Sequence, residues 1–315
     1  MKKILFSILG IVVLIILLRL FVWKPALPID YLKGKYAQDD SRWVQIDDLE
    51  VHYKDEGSGT PIVLIHGTGA SLQTFDSWTD TLKKYYRVIR MDIPGFGLTG
   101  PNREEDYSMV AYVKFIDHFL QKIQVAHVIL GGNSLGGEIA WKYAYYHPQN
   151  VQALILLDPA GSPIQKYDMP LFSAFTLAKI PVLSSLFTNV NPKPLVEKTL
   201  KQAYEKDELI TPDKVQLYYD MSLRDGNRKA FVQRVQQVAN DSILDPSKVL
   251  IPTMIMWGKQ DAVLPLIQLD GFKKMKHMRY LIYDGVGHTP QDEVSIQSVH
   301  DAINFIRELG EKELS

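Results

Sequence analysis

A glycine-flanked serine between a strand pattern and a helix pattern is the strongest constraint on how this chain folds. Gly132-Asn133-Ser134-Leu135-Gly136 follows the apolar run Val128-Ile129-Leu130 and opens a helical pattern that continues through Tyr143. A G-x-S-x-G segment turns a strand sharply into a helix, and its glycines avoid the collisions that a Cβ would make there. The turn lifts the serine oxygen clear of the sheet, beside the unpaired N–H groups of a helix N-terminus. The pattern therefore predicts that Ser134 is a nucleophile.

A serine needs a base to take its proton, and His288 is the best placed of the eight histidines. It lies in Gly285-Val286-Gly287-His288-Thr289-Pro290, directly after the apolar run Tyr280-Leu281-Ile282. That position is a loop at a strand end, where site residues concentrate. His52, in contrast, lies within a strand pattern and is interpreted as structural. We expect His288 to be the base.

Three aspartates are candidates for the acid that orients the histidine. Asp261 follows the strand pattern that ends at Gly258, and Asp158 follows the apolar run Leu154–Leu157. Asp284 is close to His288 in the sequence, which does not mean that the two side chains meet. We expect Asp261 to be the acid, with Asp158 as the second choice. The chain order is then Ser, Asp, His, unlike the two best-known serine-protease orders.

An oxyanion hole is predicted at His66-Gly67-Thr68-Gly69, which follows the buried-strand pattern Pro61–Ile65. Small residues there let the backbone approach a ligand closely. We expect the backbone N–H groups of Thr68 and Leu135 to hold one substrate oxygen together.

The chain resembles α/β-hydrolase-fold serine hydrolases, a group that includes bacterial esterases, lipases and carbon–carbon bond hydrolases. The supporting segments run in the family's order across roughly residues 40 to 310: HGTG at His66, DIPGFGLTGP from Asp92, GNSLGG from Gly132, WGKQDAVLP from Trp257 and GVGHTP from Gly285. The resemblance implies Ser134 as nucleophile, His288 as base and Asp261 as its orienter. It also implies Thr68 and Leu135 as backbone donors. Relatives that open epoxides or displace halides use aspartate at the nucleophile position, so Ser134 argues against both chemistries.

A second glycine motif is interpreted as structural. Residues 95–100 spell G-x-G-x-x-G after a strand pattern, as dinucleotide-binding loops do. Pro101 and Asn102 follow where such a site requires a helix, and Asp117 falls inside a helical pattern instead of at a second strand end.

Composition excludes several classes of protein. The 315 residues are 46% hydrophobic, enough for a sizeable core, and the net charge of −1 predicts no nucleic-acid partner. The chain contains no cysteine, so disulfides and thiolate–metal sites are excluded. We expect no metal and no organic cofactor.

The N-terminus carries a long apolar run. Ile4 to Trp23 is 20 residues with one charge, Arg19, and a helix of that length spans roughly 30 Å, the thickness of a hydrocarbon core. We interpret it as an uncleaved, single-pass transmembrane anchor, with a cleavable signal peptide as the alternative. The basic residues on its two sides leave the orientation open. The absence of cysteine favours a periplasmic catalytic domain.

The remaining chain predicts an α/β fold. Eight strand patterns alternate with helical ones, which indicates a mostly parallel eight-stranded sheet with helices on both faces and an antiparallel hairpin at one edge. The predicted division is an anchor over 1–24, a linker over 25–40, a hydrolase core over 41–160 and 250–312, and a helical cap over 161–249. The apolar residues between Met169 and Phe187 form the cap's own core or, alternatively, contact a bilayer.

These observations predict a serine hydrolase that cleaves a carboxylic ester with a hydrophobic acyl group through an acyl-serine intermediate. The substrate is a small-molecule or lipid ester. One alternative is a carbon–carbon bond hydrolase of ring-fission dienone acids, although those relatives usually have a more glycine-rich segment than HGTGAS. An alternative of another class is a non-catalytic ligand-binding protein on the same fold. The oligomeric state is left open.

Overall fold

The predicted eight-stranded sheet is present in the structure, a computed structural model that describes residues 24–164, 178–180 and 192–313. The strands are β1 (Arg42–Ile46), β2 (Leu49–Gly57), β3 (Pro61–Ile65), β4 (Arg87–Met91), β5 (Val128–Asn133), β6 (Val151–Leu157), β7 (Thr253–Gly258) and β8 (Met278–Tyr283). The helices are α1 (Ile29–Tyr36), α2 (Asp76–Leu82), α3 (Met109–Lys122), α4 (Leu135–Tyr146), α5 (Lys193–Ala203), α6 (Pro212–Leu223), α7 (Asn227–Gln237), α8 (Leu269–Phe272), α9 (Pro290–Glu293) and α10 (Ser295–Glu313).

The order of the strands places several chain segments at one edge of the sheet. The order is β1-β2-β4-β3-β5-β6-β7-β8, and every pair from β4 to β8 is parallel. β2 runs antiparallel to both β1 and β4, so β1 and β2 form the predicted edge hairpin. Because the carboxyl ends of parallel strands lie at the same edge, the segments that follow β5, β6, β7 and β8 come together there.

Helices cover both faces of the sheet, as expected for buried parallel strands. Alternate side chains of β3 belong to different hydrophobic clusters. Val63 and Ile65 pack in the cluster that contains residues of α3 and α4. Ile62 and Leu64 pack with residues of α2 and α10. The core therefore consists of two apolar layers, one on each side of the sheet.

A helical segment follows β6, where the alternation of strands and helices stops. Its described helices are α5, α6 and α7, and Val235 is buried on α7. Residues 165–177 and 181–191, which hold most of the apolar stretch between Met169 and Phe187, lie outside the described residues.

The segment expected to be a linker contains a packed helix. Residues 25–40 include α1, whose Leu32 is fully buried in one cluster with Met221 of α6. Lys35 Nζ donates to Asp220 Oδ2 over 2.7 Å. A buried leucine and an ion pair therefore hold this part of the predicted linker against α6.

The predicted membrane localisation needs correction. In residues 24–164, 178–180 and 192–313, no helix is both long and apolar enough to cross a bilayer. The run from Ile4 to Trp23 lies outside the described residues. The predicted membrane localisation is therefore contradicted, and the predicted anchor and membrane partner are not supported by any described helix.

The second glycine motif forms a loop, as interpreted from the sequence. Leu98 N–H donates to Asp92 Oδ2 over 2.8 Å, and a Cβ at Gly97 would overlap the carboxyl group of Asp92. The next helix, α3, begins only at Met109. The glycines therefore let the chain wrap closely around a buried aspartate.

Candidate active site

Ser134 stands at a strained turn between β5 and α4. Its φ of 55° and ψ of −116° are rare for a residue other than glycine. Its N–H donates to Leu157 O over 3.0 Å, which fixes the turn against β6. A Cβ at Gly132 would overlap Gly136, and one at Gly136 would overlap the Ile65 carbonyl oxygen. The glycines are therefore required by close backbone approach on both sides of the serine.

His288 and Asp261 meet as the sequence predicted. His288 Nδ1 lies 2.6 Å from Asp261 Oδ2, and both side chains are buried. The other carboxylate oxygen of Asp261 accepts from the N–H groups of Val263 and Leu264 over 2.7 and 2.9 Å. Because the acceptor at Nδ1 is a carboxylate, Nδ1 carries the hydrogen and Nε2 is free to accept a proton.

The other two candidate aspartates occupy different surroundings. Asp284 lies on the surface, where it pairs with Lys259 over 3.1 Å. Asp158 is fully buried and accepts from Gly258 N–H over 2.9 Å. One ligand atom from each of Asp158, Asp261 and His288 lies within 4.8 Å of the others, which is also a spacing that a metal ion would accept. Asp158 therefore lies beside the Asp261–His288 pair without replacing Asp261 in it.

The predicted oxyanion donors are unpaired among the described residues. Leu135 is the first residue of α4, so its N–H has no acceptor within the helix, and Thr68 N–H donates to no described acceptor. His66 stabilises this loop, since its Nδ1 donates to Gly67 O over 2.8 Å while its Nε2 accepts from Ile93 N–H over 3.1 Å. Burial lowers the pKa of His66, in keeping with this neutral tautomer.

Ser134 and His288 line one cavity. Thr68 also lines it, together with residues of α5, α6 and α7. Among the described residues no hydrogen bond joins Ser134 to His288. Such nucleophile–base bonds are often long in the absence of substrate and tighten when it binds.

The sequence did not point to the contacts that hold the His288 loop. His288 N–H donates to Ala203 O at the end of α5 over 2.6 Å, and His288 O accepts from Asn133 Nδ2 over 2.9 Å. The carboxyl group of Glu293 accepts from Gly287 N–H over 2.9 Å and from Glu205 N–H over 2.8 Å. Asn133 lies inside the serine motif, which was a usable signal, but nothing in the local pattern marks Glu293.

Glu293 is also electrostatically unusual. Burial raises its pKa, and the backbone N–H groups that it accepts from, including that of Lys206, only partly oppose the shift. The loop that carries His288 is therefore joined to the segment after α5 through a buried carboxyl group.

Comparison with known proteins agrees with this geometry. Residues 60–294 match the family model described as the alpha/beta hydrolase fold. The chain belongs to the alpha/beta hydrolase family.

Two curated relatives differ in the reactions named for them. The chain is 27% identical over 234 residues to 2-hydroxy-6-oxo-6-(2'-aminophenyl)hexa-2,4-dienoic acid hydrolase of Metapseudomonas resinovorans, covering 71% of this chain and 76% of that protein. It is also 27% identical over 255 residues to Lipase 1 of Psychrobacter immobilis, covering 76% of this chain and 75% of that protein. The family therefore establishes a hydrolase but leaves the bond that it cleaves open.

A solved structure agrees over almost the whole length. The crystal structure of a membrane phospholipase A, a bacterial virulence factor, has a TM-score of 0.75 and covers 98% of this chain and 99% of its own. At 23% identity this likeness shows the fold alone.

Proposed function

We propose that this hydrolase cleaves a carboxylic ester with a hydrophobic acyl group through an acyl-serine intermediate on Ser134. The observation that carries the proposal is the cavity that Ser134 shares with His288, whose cap-side wall is largely apolar. Apolar side chains on that wall include Leu195, Leu200, Met221 and Phe231. Such a wall suits a hydrocarbon chain, because burying apolar surface is the main favourable contribution to its binding.

The proposed chemistry follows from which ring nitrogen of His288 carries a hydrogen. Nδ1 donates to Asp261, so Nε2 is free to accept a proton. His288 Nε2 takes the proton of Ser134 as the hydroxyl oxygen attacks the ester carbonyl, and Asp261 steadies the imidazolium that forms. The N–H groups of Thr68 and Leu135 hold the oxyanion. His288 then gives the proton to the departing alcohol, and water releases the acid by the same steps in reverse.

We further propose that residues 161–249 form a cap over a core of residues 41–160 and 250–312. Support comes from α5 and α7, which contribute Leu200 and Phe231 to the cavity wall, and from the bond between Ala203 O and the His288 backbone. A cap in this place excludes water from the reacting carbonyl.

Carbon–carbon bond cleavage of a ring-fission dienone acid is a second candidate. Arg228 also lines the cavity, and it is the only lysine, arginine, aspartate or glutamate among the described lining residues. A guanidinium group is suited to bind the carboxylate of such a substrate. The similarity to the dienoic acid hydrolase supports this candidate as much as the lipase supports the first.

The nucleophile is tested by labelling the purified protein with a fluorophosphonate probe. Labelling is expected in the wild type and in Ser41→Ala, a control serine that also contacts a histidine, and no labelling is expected in Ser134→Ala. Labelling that persists in Ser134→Ala would remove this serine as nucleophile. If the probe labels neither the wild type nor Ser41→Ala, the result would favour a non-catalytic ligand-binding protein.

The substrate class is tested with aryl esters of graded acyl length, assayed with and without detergent micelles, beside a ring-fission dienone acid. We expect kcat/KM to rise with acyl length. Arg228→Met is expected to leave ester hydrolysis within a few-fold, because the proposed ester chemistry gives the guanidinium group no role. Turnover of the dienone acid alone, lost in Arg228→Met, would replace the ester proposal.

A further inference from the structure

Asp158 is a buried carboxyl group to which the proposed mechanism gives no task. It follows β6 with a φ of 42°, in the left-handed region, and its side chain has no exposure to solvent. Its Oδ1 accepts from Gly258 N–H over 2.9 Å. Its Oδ2 is buried and has no hydrogen-bond partner among the described residues. An ionised oxygen in that position would be costly, because a buried charge needs partners.

A second carboxyl group, that of Asp261, lies beside Asp158. Oxygens of Asp158 and Asp261 and a ring nitrogen of His288 all lie within 4.8 Å of one another. Asp261 has three donors, the N–H groups of Val263 and Leu264 and the imidazole of His288. Asp158 has one. The negative charge is therefore better stabilised on Asp261.

The charges around Asp158 reinforce this difference. Burial, and next the negative charge of Asp261, raise the pKa of Asp158 well above its usual range. The negative charge of Glu293 also raises the pKa of Asp158. The Tyr283 hydroxyl is close enough for its own pKa to be raised, after the effect of burial, by a negative charge on Asp158. His288 is the group in this cluster that becomes cationic, and its hydrogen bond goes to Asp261.

We propose that Asp158 is a protonated positioning residue, which donates a hydrogen bond from its carboxyl group to Asp261 while Asp261 orients His288. The inference rests on the proposed role of the Asp261–His288 pair. The donor stabilises the carboxylate of Asp261 in the orientation in which it accepts from His288 Nδ1. It also restrains the carboxylate in the plane of the imidazole.

The first test compares Asp158→Asn with Asp158→Ala in kcat/KM against pH. Asparagine tolerates the left-handed backbone and keeps both a donor toward Asp261 and an acceptor for Gly258, so activity is expected within about threefold of the wild type. Alanine removes the donor and leaves Asp261 and His288 less firmly oriented, so kcat/KM is expected to fall by about tenfold, a loss that asparagine at the same position avoids. A loss of about 10⁴-fold in Asp158→Asn would instead make Asp158 the ionised acid of the triad and overturn the proposal.

The second test observes the proton without substrate. Infrared spectra at neutral pH are expected to contain the carbonyl band of a protonated carboxyl group in the wild type and to lose it in Asp158→Asn. Glu293→Gln serves as the control, because Glu293 also has a raised pKa, and it is expected to keep the band. Absence of the band in the wild type, or its persistence in Asp158→Asn, would overturn the proposal.

Stability supplies a third measurement. The folded-state pKa of Asp158 lies above its ordinary value of 3.8, so the stabilisation from this proton is complete below that value and is lost as the pH rises toward the folded-state pKa. Across about pH 5 to 8, the melting temperature of the wild type is expected to fall relative to that of Asp158→Asn. A constant difference would contradict the proposal. Neither this measurement nor the infrared band requires hydrolysis, so a failure of Ser134 labelling would reject the proposed function without deciding the state of Asp158.

Discussion

Two buried histidine–aspartate pairs adjoin the central sheet, and each lies near a serine. In the first, Ser41 Oγ lies 2.9 Å from His52 Nε2, and His52 Nδ1 lies 2.8 Å from Asp92 Oδ2. By hydrogen bonds alone this is the more complete Ser–His–Asp chain. In the second, Asp261 holds His288 over 2.6 Å, and Ser134 shares a cavity with the imidazole without a hydrogen bond to it.

The two differ in access and in the groups around the serine. His52 and Asp92 have no solvent exposure, and the ring of Trp43 packs on His52 with centroids 4.8 Å apart. Ser41 Oγ also accepts from Gln38 N–H over 3.1 Å, so its oxygen is already engaged. None of these residues lines the cavity of the candidate site. The first chain is therefore structural.

The comparison teaches that three hydrogen-bonded side chains do not make a hydrolase. Ser134 differs from Ser41 by a strained turn, a helix N-terminus, a place in the cavity lining, and the backbone N–H groups of Thr68 and Leu135, which have no acceptor among the described residues. Those surroundings, which stabilise charge that develops only in the transition state, separate a reactive serine from a structural one.

The largest expected effect separates the two histidines. His288→Ala should lower kcat for an aryl ester by about 10⁶-fold, because the base is lost. It should lower the melting temperature less than His52→Ala does, because His288 lines the cavity and water can replace the imidazole beside Asp261. His52→Ala should instead destabilise the protein by about 3 kcal/mol, since Asp92 loses its buried partner. Steady-state kinetics and thermal unfolding of both variants measure this. Full activity in His288→Ala, or loss of kcat in a stably folded His52→Ala, would reverse the assignment.

The aspartates extend the comparison at the next magnitude. Asp261→Asn keeps the shape but favours the wrong imidazole tautomer, and kcat should fall by about 10⁴-fold. Asp92→Asn should lower the free energy of unfolding by about 1–3 kcal/mol with little change in kcat, because Asp92 accepts from Leu72 and Leu98 as well as from His52. Equal kinetic effects of the two substitutions would show that the second pair has no special role.

Close packing around Ser134 gives a smaller effect. A Cβ at Gly67 would lie 3.1 Å from Ser134 Cβ and 3.3 Å from Asn133 Oδ1. Gly67→Ala should therefore displace the nucleophile slightly and lower kcat by about tenfold, with KM little changed. Gly34→Ala, where no atom lies within 4 Å of the new Cβ, is the matched control and should behave as the wild type. An unchanged kcat in Gly67→Ala would mean that the loop moves to accommodate the added methyl group without displacing Ser134.

The smallest expected effect concerns the Glu293 carboxyl group. It joins the His288 loop to the segment after α5, a contact that we call the Glu293 clamp. Glu293→Gln places an amide N–H group among backbone donors and should cost about 1–2 kcal/mol of stability and a few-fold in kcat. Because the folded-state pKa of Glu293 is raised above 4.5, the wild type should lose stability relative to the variant as the pH rises past that value. Urea unfolding at several pH values measures this. Asp284→Asn, an exposed acid in the same loop, should stay within about 0.5 kcal/mol throughout, and an equal effect there would argue against the clamp.

Local sequence patterns predicted the elements of the fold and the position of Ser134, the proposed nucleophile, at the turn between β5 and α4. All eight strand patterns became strands of the one sheet. Ser134 was predictable because the glycines and the flanking periodicity act within a few residues, over distances that local backbone geometry controls. The chain order of Ser134, Asp261 and His288 was available from the same kind of signal at three strand ends.

Only the tertiary structure decided which side chains meet. Asp158, Asp261 and Asp284 all follow strands, but their surroundings differ. Asp158 is buried and has one hydrogen-bond partner among the described residues, Asp261 holds His288, and Asp284 lies in solvent. The strand pattern around His52 indicated a structural residue, but no local pattern predicted its hydrogen bonds to Asp92 and Ser41. The clamp between Glu293 and the segment after α5 joins residues 88 apart in the chain. Burial, pKa and hydrogen bonding depend on distances through space, which the order of strands in the sheet sets and short-range patterns do not encode.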